Sequence, residues 1–199
     1  MTTSGKIELM APAGNFESLQ AALDNGADSV YFGVEQLNMR ARASINFTLD
    51  DLQEIARRCQ EKKVRTYLTL NTIIYDHDLS IIKTLLDKAK QAQITAVIAM
   101  DQAVIAYARQ IGMEVHISTQ INITNIETVK FYALFADTMV MSRELSLRQI
   151  KKICEQVERE QVKGPSGNLV EIEIFGHGAL CMAVSGKCYL SLHSHNSSA

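Results

Sequence analysis

The residues best suited to chemistry lie in one late segment, Glu173-Ile-Phe-Gly-His-Gly-Ala-Leu-Cys181-Met-Ala-Val-Ser-Gly-Lys-Cys188-Tyr-Leu-Ser191. Two thiols and three glycines (Gly176, Gly178, Gly186) follow a strand-like run, with His177, His193 and His195 nearby in sequence. Glycines permit positive φ and close backbone approach, which a loop folding around a cofactor needs. Three chemistries suit these side chains. Cys181 and Cys188 suit two ligand positions of an iron–sulfur cluster, which usually takes four thiolates. Joined by two histidines, they make a zinc set. Alternatively, Cys181 is a nucleophile with His177 as its base. Two ordinary thiols in a glycine loop are the plain alternative. The cysteines are not the tight pair of a C-x-x-C motif, so spacing alone does not choose.

These residues must be positioned by the elements before them, and apolar strand-like runs alternate with helical periodicity along the chain. Strands are expected over 8–13, 29–33, 65–71, 96–100, 114–119, 138–142 and 171–175. Helices are expected over 16–25, from Thr48 onward, and over 79–92, 102–111, 125–135 and 146–161. Thr48 with Asp51 reads as an N-cap ahead of Leu49, Leu52, Ile55 and Ala56. Gly26 and Gly112 read as helix stops. Three joints look alike: Gly26-Ala-Asp28, Ile94-Thr-Ala96 and Ala136-Asp-Thr138, each leading from a helix end into a buried strand. Strict alternation argues for a parallel sheet. No G-x-G-x-x-G follows the first strand, which disfavours a dinucleotide-binding sheet. The expectation is an α/β fold, a parallel (β/α) barrel of TIM type. It is incomplete, with about seven of the eight strands that normally occupy ~250 residues. Residues 1–175 form the barrel portion, and 176–199 begin a cysteine-containing segment.

In such a barrel the active site is built from the loops after each strand. The polar residues there are Arg40 and Arg42 after strand two, Asn71 after strand three and Asp101 after strand four. Ser118 and Gln120 follow strand five, Arg143 and Glu144 strand six, and His177 strand seven. Two guanidinium forks in a strand-end loop suit phosphate or carboxylate. Capping and turn formation account equally well for Asn71, Ser118 and Asp101, and a solvated pair for Arg143 with Glu144. His116 alternates with Val115 and Ile117 and reads as a core histidine satisfied by hydrogen bonds. Cys59 and Cys154 fall in amphipathic helices as inert thiols.

Composition narrows the function classes. With 199 residues the chain is one ordinary domain, and two prolines and 10 glycines exclude disorder and collagen-like repeats. Lys and Arg total 20 against 22 Asp and Glu, a formal charge of −2, so no overall basic character marks a nucleic-acid binder. No apolar run approaches the ~20 residues of a membrane helix. Met1–Lys6 lacks the apolar stretch of a signal peptide. A cytoplasmic chain with reduced cysteines and no membrane contact is expected.

The late segment resembles the signature of the collagenase-like peptidase family, peptidases of unassigned mechanism. Glu173, Phe175, Gly178, Ala179, Leu180, Cys181, Gly186, Cys188, Leu190 and Ser191 all satisfy that signature. The resemblance extends to Ala11-Pro-Ala-Gly14, Gly26-Ala-Asp28 with Val30, Tyr31 and Gly33, and Arg40. It continues through Ser118, Gln120 and Asn122, Thr128-Val-Lys-Phe131 and Ser142-Arg-Glu-Leu145. The family includes proteins that hydroxylate tRNA uridine or ribosomal RNA, oxygen-independent hydroxylases of ubiquinone synthesis, and proteins described as collagenases. The resemblance implies a 4Fe-4S cluster held by four cysteines, Cys181 and Cys188 matching the first two, and prephenate as a hydroxyl donor. The remaining two ligand cysteines of the family lie further downstream than residue 199, and neither Cys59 nor Cys154 matches them.

Three functions follow as expectations. The first is an iron–sulfur hydroxylase of RNA, foremost of tRNA uridine. In it Arg40, Arg42 and Arg143 hold an anionic donor or the RNA backbone, Asn71 and Gln120 contact substrate, and His177 or Glu144 moves protons. The second is a peptidase with Cys181 and His177 as its reactive pair. The third is a non-catalytic scaffold acting with a partner subunit of the same family.

Overall fold

A computed structural model describes residues 7–34, 47–178 and 183–187. Among them the expected alternation is present as β1 (Met10–Pro12), α1 (Phe16–Asp24), β2 (Ser29–Phe32), α2 (Leu52–Glu61), β3 (Arg65–Leu70), α3 (Leu79–Gln91) and β4 (Ala96–Ala99). It continues as α4 (Gln102–Gln110), β5 (Glu114–Ile117), α5 (Ile126–Ala133), β6 (Thr138–Val140), α6 (Leu147–Glu160) and β7 (Glu171–Glu173). The strands are all parallel and pair strictly in chain order, β1 through β7. A doubly wound sheet reverses its strand order at a switch point. Sequential order belongs to a barrel wall, and here the wall is a curled half-barrel of seven strands.

Local signals explain the helix boundaries. Asn15 caps α1, accepting from the Ser18 N–H at 2.8 Å while Ser18 Oγ accepts from the Asn15 N–H at 3.1 Å. Ser146 and Gln149 repeat this box ahead of α6. The Thr48 N–H and hydroxyl both donate to Asp51, closing a 3-10 turn that leads into α2. Gly26 and Gly112 follow their helices at φ +81° and +69°, as helix stops require. The three similar joints share a physical role. Asp28 accepts from the Leu9 N–H, Thr95 exchanges hydrogen bonds with Thr66, and Asp137 accepts from the Ser166 N–H. Each ties an incoming strand to a neighbouring segment.

The core has two layers of unequal character. Val30, Phe32, Leu68, Leu70, Val97, Ala99, Val115, Ile117 and Met139 face outward and form one cluster with the apolar stripes of the helices. The opposite parity faces the barrel axis. There a smaller cluster of Tyr67, Ala96 and Ile98, flanked by Met10 and Tyr31, meets charged and polar residues. His116 has the inward parity and stacks at a tilt on Tyr67, ring centroids 4.5 Å apart. β7 ends at Glu173, two residues earlier than expected, and Ile174 and Phe175 are exposed. No helix among the described residues is long and apolar enough to cross a membrane.

Candidate functional site

The loops after β5 and β6 meet residues 183–187 of the cysteine segment at the C-terminal end of the strands. Ser185 is fully buried and is the anchor. Its N–H and hydroxyl both donate to the Glu144 carboxylate, the hydroxyl at 3.0 Å. Ser185 Oγ also accepts from the Arg143 N–H at 3.4 Å and lies 3.5 Å from Thr119 Oγ1. Gly186 has φ +76°, and a Cβ there would stand 2.0 Å from the Gln120 carbonyl oxygen. The segment therefore rests directly on the β5 loop backbone, an approach open only to glycine.

Of the expected residues, Glu144, Arg143 and Gln120 are brought together by this contact. Glu144 has both oxygens engaged by Ser185, the arrangement of a clamp. Partial burial opposes its ionisation, but the Ser185 N–H, its own N–H, the Ser185 hydroxyl and the Arg143 charge outweigh that and hold its carboxyl below the ordinary 4.5. A depressed native pKa stabilises the folded arrangement above that ordinary value and loses the contribution as pH falls through the lower, native value. Protection of the Ser185 amide is therefore expected to persist at neutral pH and to be lost only as pH falls below the ordinary carboxylate range. Amide exchange followed by NMR checks this, and Glu144→Gln is expected to show weakened protection already at pH 7.

Asn71 is half-buried at the end of β3, and His177 is exposed beyond β7. Asp101 and Ser118 are capping residues: Asp101 accepts from the N–H groups of Ala103 and Ile74, and Ser118 from that of Gln120. Arg40, Arg42, Cys181, Cys188, His193 and His195 lie outside the described residues. Ser185 and Thr119 were not singled out from sequence. A serine beside the signature glycine was the signal available for Ser185.

Among the described residues, no group of three or more His, Cys, Asp or Glu side chains is placed to hold a metal ion. Cys59 is fully buried in the layer between α2 and the sheet, where burial pushes its thiol up to about 11. Cys154 is on α6, its thiol also raised by burial. Neither belongs to the strand-end loops. The two remaining cysteines, Cys181 and Cys188, carry the soft donors that iron–sulfur chemistry takes and lie outside the described residues. A cleft of about 510 Å³ opens instead near the N-terminal ends of the strands, beside Arg65, Glu114, Thr138 and Glu171.

The fold and mouth define a (β/α) barrel protein with residues 183–187 seated on its strand ends. More particularly, the chain belongs to peptidase family U32, whose model matches residues 14–199. It is 57% identical over 192 residues to a collagenase of Porphyromonas gingivalis, covering 96% of this chain and 46% of that protein. It is 33% identical over 191 residues to tRNA hydroxylation protein P1 of Bacillus subtilis, covering 94% and 42%. The chain thus spans less than half the length of these relatives. Among solved structures, the U32 peptidase Mk0906 superposes with a TM-score of 0.63 at 13% identity, over 87% of this chain and 70% of that one. That likeness bears on the fold alone.

Proposed function

We propose that this chain is the barrel half of an iron–sulfur-dependent enzyme that hydroxylates RNA, foremost a tRNA uridine. The observation that carries the reading is the seat of residues 183–187 on the barrel mouth through Ser185 and Gly186. In sequence that anchored stretch lies between Cys181 and Cys188. A relative named for tRNA hydroxylation, aligned over 94% of this chain, supports the substrate class. Cys181 and Cys188 would hold two corners of a 4Fe-4S cluster, with two further thiolates from other residues of the full-length protein. The cluster would supply one-electron chemistry. Arg143, exposed at the mouth, together with Arg40 and Arg42, would bind the carboxylates of a donor such as prephenate or the RNA backbone. Asn71 and Gln120 would orient the substrate, and exposed His177 would exchange protons with solvent. Glu144 is assigned to clamping the segment.

Proteolysis is the second reading, favoured by the 57% identity to a protein named collagenase. It would use Cys181 as nucleophile and His177 as base. The readings oppose each other, because a thiolate bound to iron is not a free nucleophile. The deciding measurement is iron and acid-labile sulfide in the full-length protein purified without oxygen. Iron with matching sulfide, lost in both Cys181→Ser and Cys188→Ser, is the expected result. A folded full-length protein free of both overturns the hydroxylase reading and puts the peptidase first.

A further inference from the structure

The barrel interior holds a charged network that neither reading uses. Arg65, at the start of β3, donates to Glu8 at 2.9 Å and to Glu114 at 3.0 Å. Tyr67 donates its hydroxyl to Glu8 at 2.6 Å, and its ring packs on His116. His116 is only 2% exposed, with Nε2 3.0 Å from Glu114 Oε1. The hydrogen bond from His116, with the charge and hydrogen bond of Arg65, holds the Glu114 carboxyl below its ordinary range against the opposing effect of burial. An ionised Glu114 accepts, so His116 donates from Nε2. This leaves Nδ1 with a bare lone pair.

That lone pair has no partner. Among the described residues five polar side-chain atoms are buried without a hydrogen bond: Ser29 Oγ, Thr69 Oγ1, His116 Nδ1, Thr138 Oγ1 and Glu173 Oε2. Strand pairing puts Thr69, His116 and Thr138 at one level, through Thr69 opposite Ile98, Ile98 opposite His116, and His116 opposite Thr138. Glu173 is the last residue of β7, on the mouth side, with its Oε2 4.0 Å from His116 Nδ1. That gap is too long for a hydrogen bond, and one oxygen about 2.8 Å from each atom would bridge it. Buried polar groups are almost always satisfied, so a ring of orphans marks a place built for a ligand or water.

We propose that His116 Nδ1 and Glu173 Oε2 hold a water molecule inside the barrel, and that His116, oriented by Glu114, is the base that takes its proton. The proton passes from the water oxygen to Nδ1, and the oxygen keeps the electron pair of the broken O–H bond. The resulting imidazolium is stabilised by Glu114 through Nε2–H. This is the logic of an oriented base, with Glu114 as a positioning residue. Glu173 complements it. Its Oε2 is the polar atom facing Nδ1 across the 4.0 Å gap, and burial, with the Glu8 charge acting in the same direction, holds its carboxyl above the ordinary range. The charges also exclude another occupant. Among the described residues, Glu8, Glu114 and Glu173 share this network with Arg65 as its one guanidinium, and Arg65 is already engaged by two of them. A neutral oxygen is favoured here over a carboxylate or phosphate, which belongs with the arginines of the mouth.

Nitrogen-detected NMR of the imidazole and a crystal structure of the full-length protein test it without reference to substrate. The expected result is the Nε2–H tautomer at neutral pH, with an ordered oxygen in hydrogen-bond reach of Nδ1 and Glu173. An Nδ1–H tautomer donating directly to Glu173, with no oxygen between them, overturns the proposal. In the full-length protein, His116→Gln is expected to lower turnover about 10²–10⁴-fold with KM little changed. Turnover within a few-fold of the parent overturns the role as base. Should His116→Gln fail to fold, Glu173→Gln is read in the crystal: loss or displacement of the oxygen is expected, and an undisturbed oxygen overturns the part assigned to Glu173.

Discussion

Gly186→Ala is expected to release the cysteine segment from the barrel mouth while leaving the barrel folded. Two independent costs meet at this position. The backbone is at φ +76°, a region in which an L side chain is strained by about 1–2 kcal/mol. The added methyl carbon would also lie 2.0 Å from the Gln120 carbonyl oxygen and 3.0 Å from its carbonyl carbon. These are backbone atoms of the β5 loop, so relief requires moving the loop or lifting the segment. Residues 183–187 are held mainly by Ser185 against Glu144, and lifting them is the cheaper escape. In the full-length protein, trypsin is expected to cut after Lys187 at least ten-fold faster than in the parent, and bound iron is expected to fall. Circular dichroism should be unchanged, because the barrel helices are remote from the contact. Unaltered protection at Lys187 would sink the account of Gly186 as a contact glycine.

Leu68→Ala is expected to cost about 3 kcal/mol of global stability. Leu68 is fully buried on the outward face of β3, in the cluster the sheet shares with the helices. Removing its side chain loses transfer free energy and leaves a cavity that a parallel sheet covered by helices closes poorly, typically 2–5 kcal/mol in all. Against a total of about 5–15 kcal/mol, that is a large fraction. Urea unfolding should show a lowered midpoint with an unchanged slope. A loss below about 1 kcal/mol would mean that the outward layer is loosely packed and that the fold depends more heavily on the interior network.

The architecture was largely legible from sequence because its signals are local. Apolar runs marked every strand, and Asn15, Thr48, Asp101 and Ser146 begin helices or turns through contacts reaching four residues or fewer. The strand limits were less legible. β7 stops at Glu173 rather than at residue 175, and β6 at Val140 rather than at 142, since a strand ends where its neighbour stops pairing. The inward and outward parities were also hidden. Strands buried on both faces read as continuous apolar runs, and alternation cannot tell barrel axis from helix layer. His116 shows the consequence. It is buried as expected, yet only one ring nitrogen is satisfied, and what surrounds the other is set by residues from other strands.

By itself, the sequence determined the alternating α/β order, the helix starts and stops, and membership of a family through the run from Glu173 to Ser191. Each of these rests on interactions within a few residues or on a contiguous pattern. Tertiary structure alone decided that Glu144 clamps Ser185 across 41 residues, that Arg65 joins Glu8 to Glu114 across 57 and 49, and that His116 faces Glu173. Partners so distant in sequence are chosen by strand register and the curl of the sheet. Those depend on how the seven strands and six helices of the described residues bury their apolar surface together, and no local pattern records that choice.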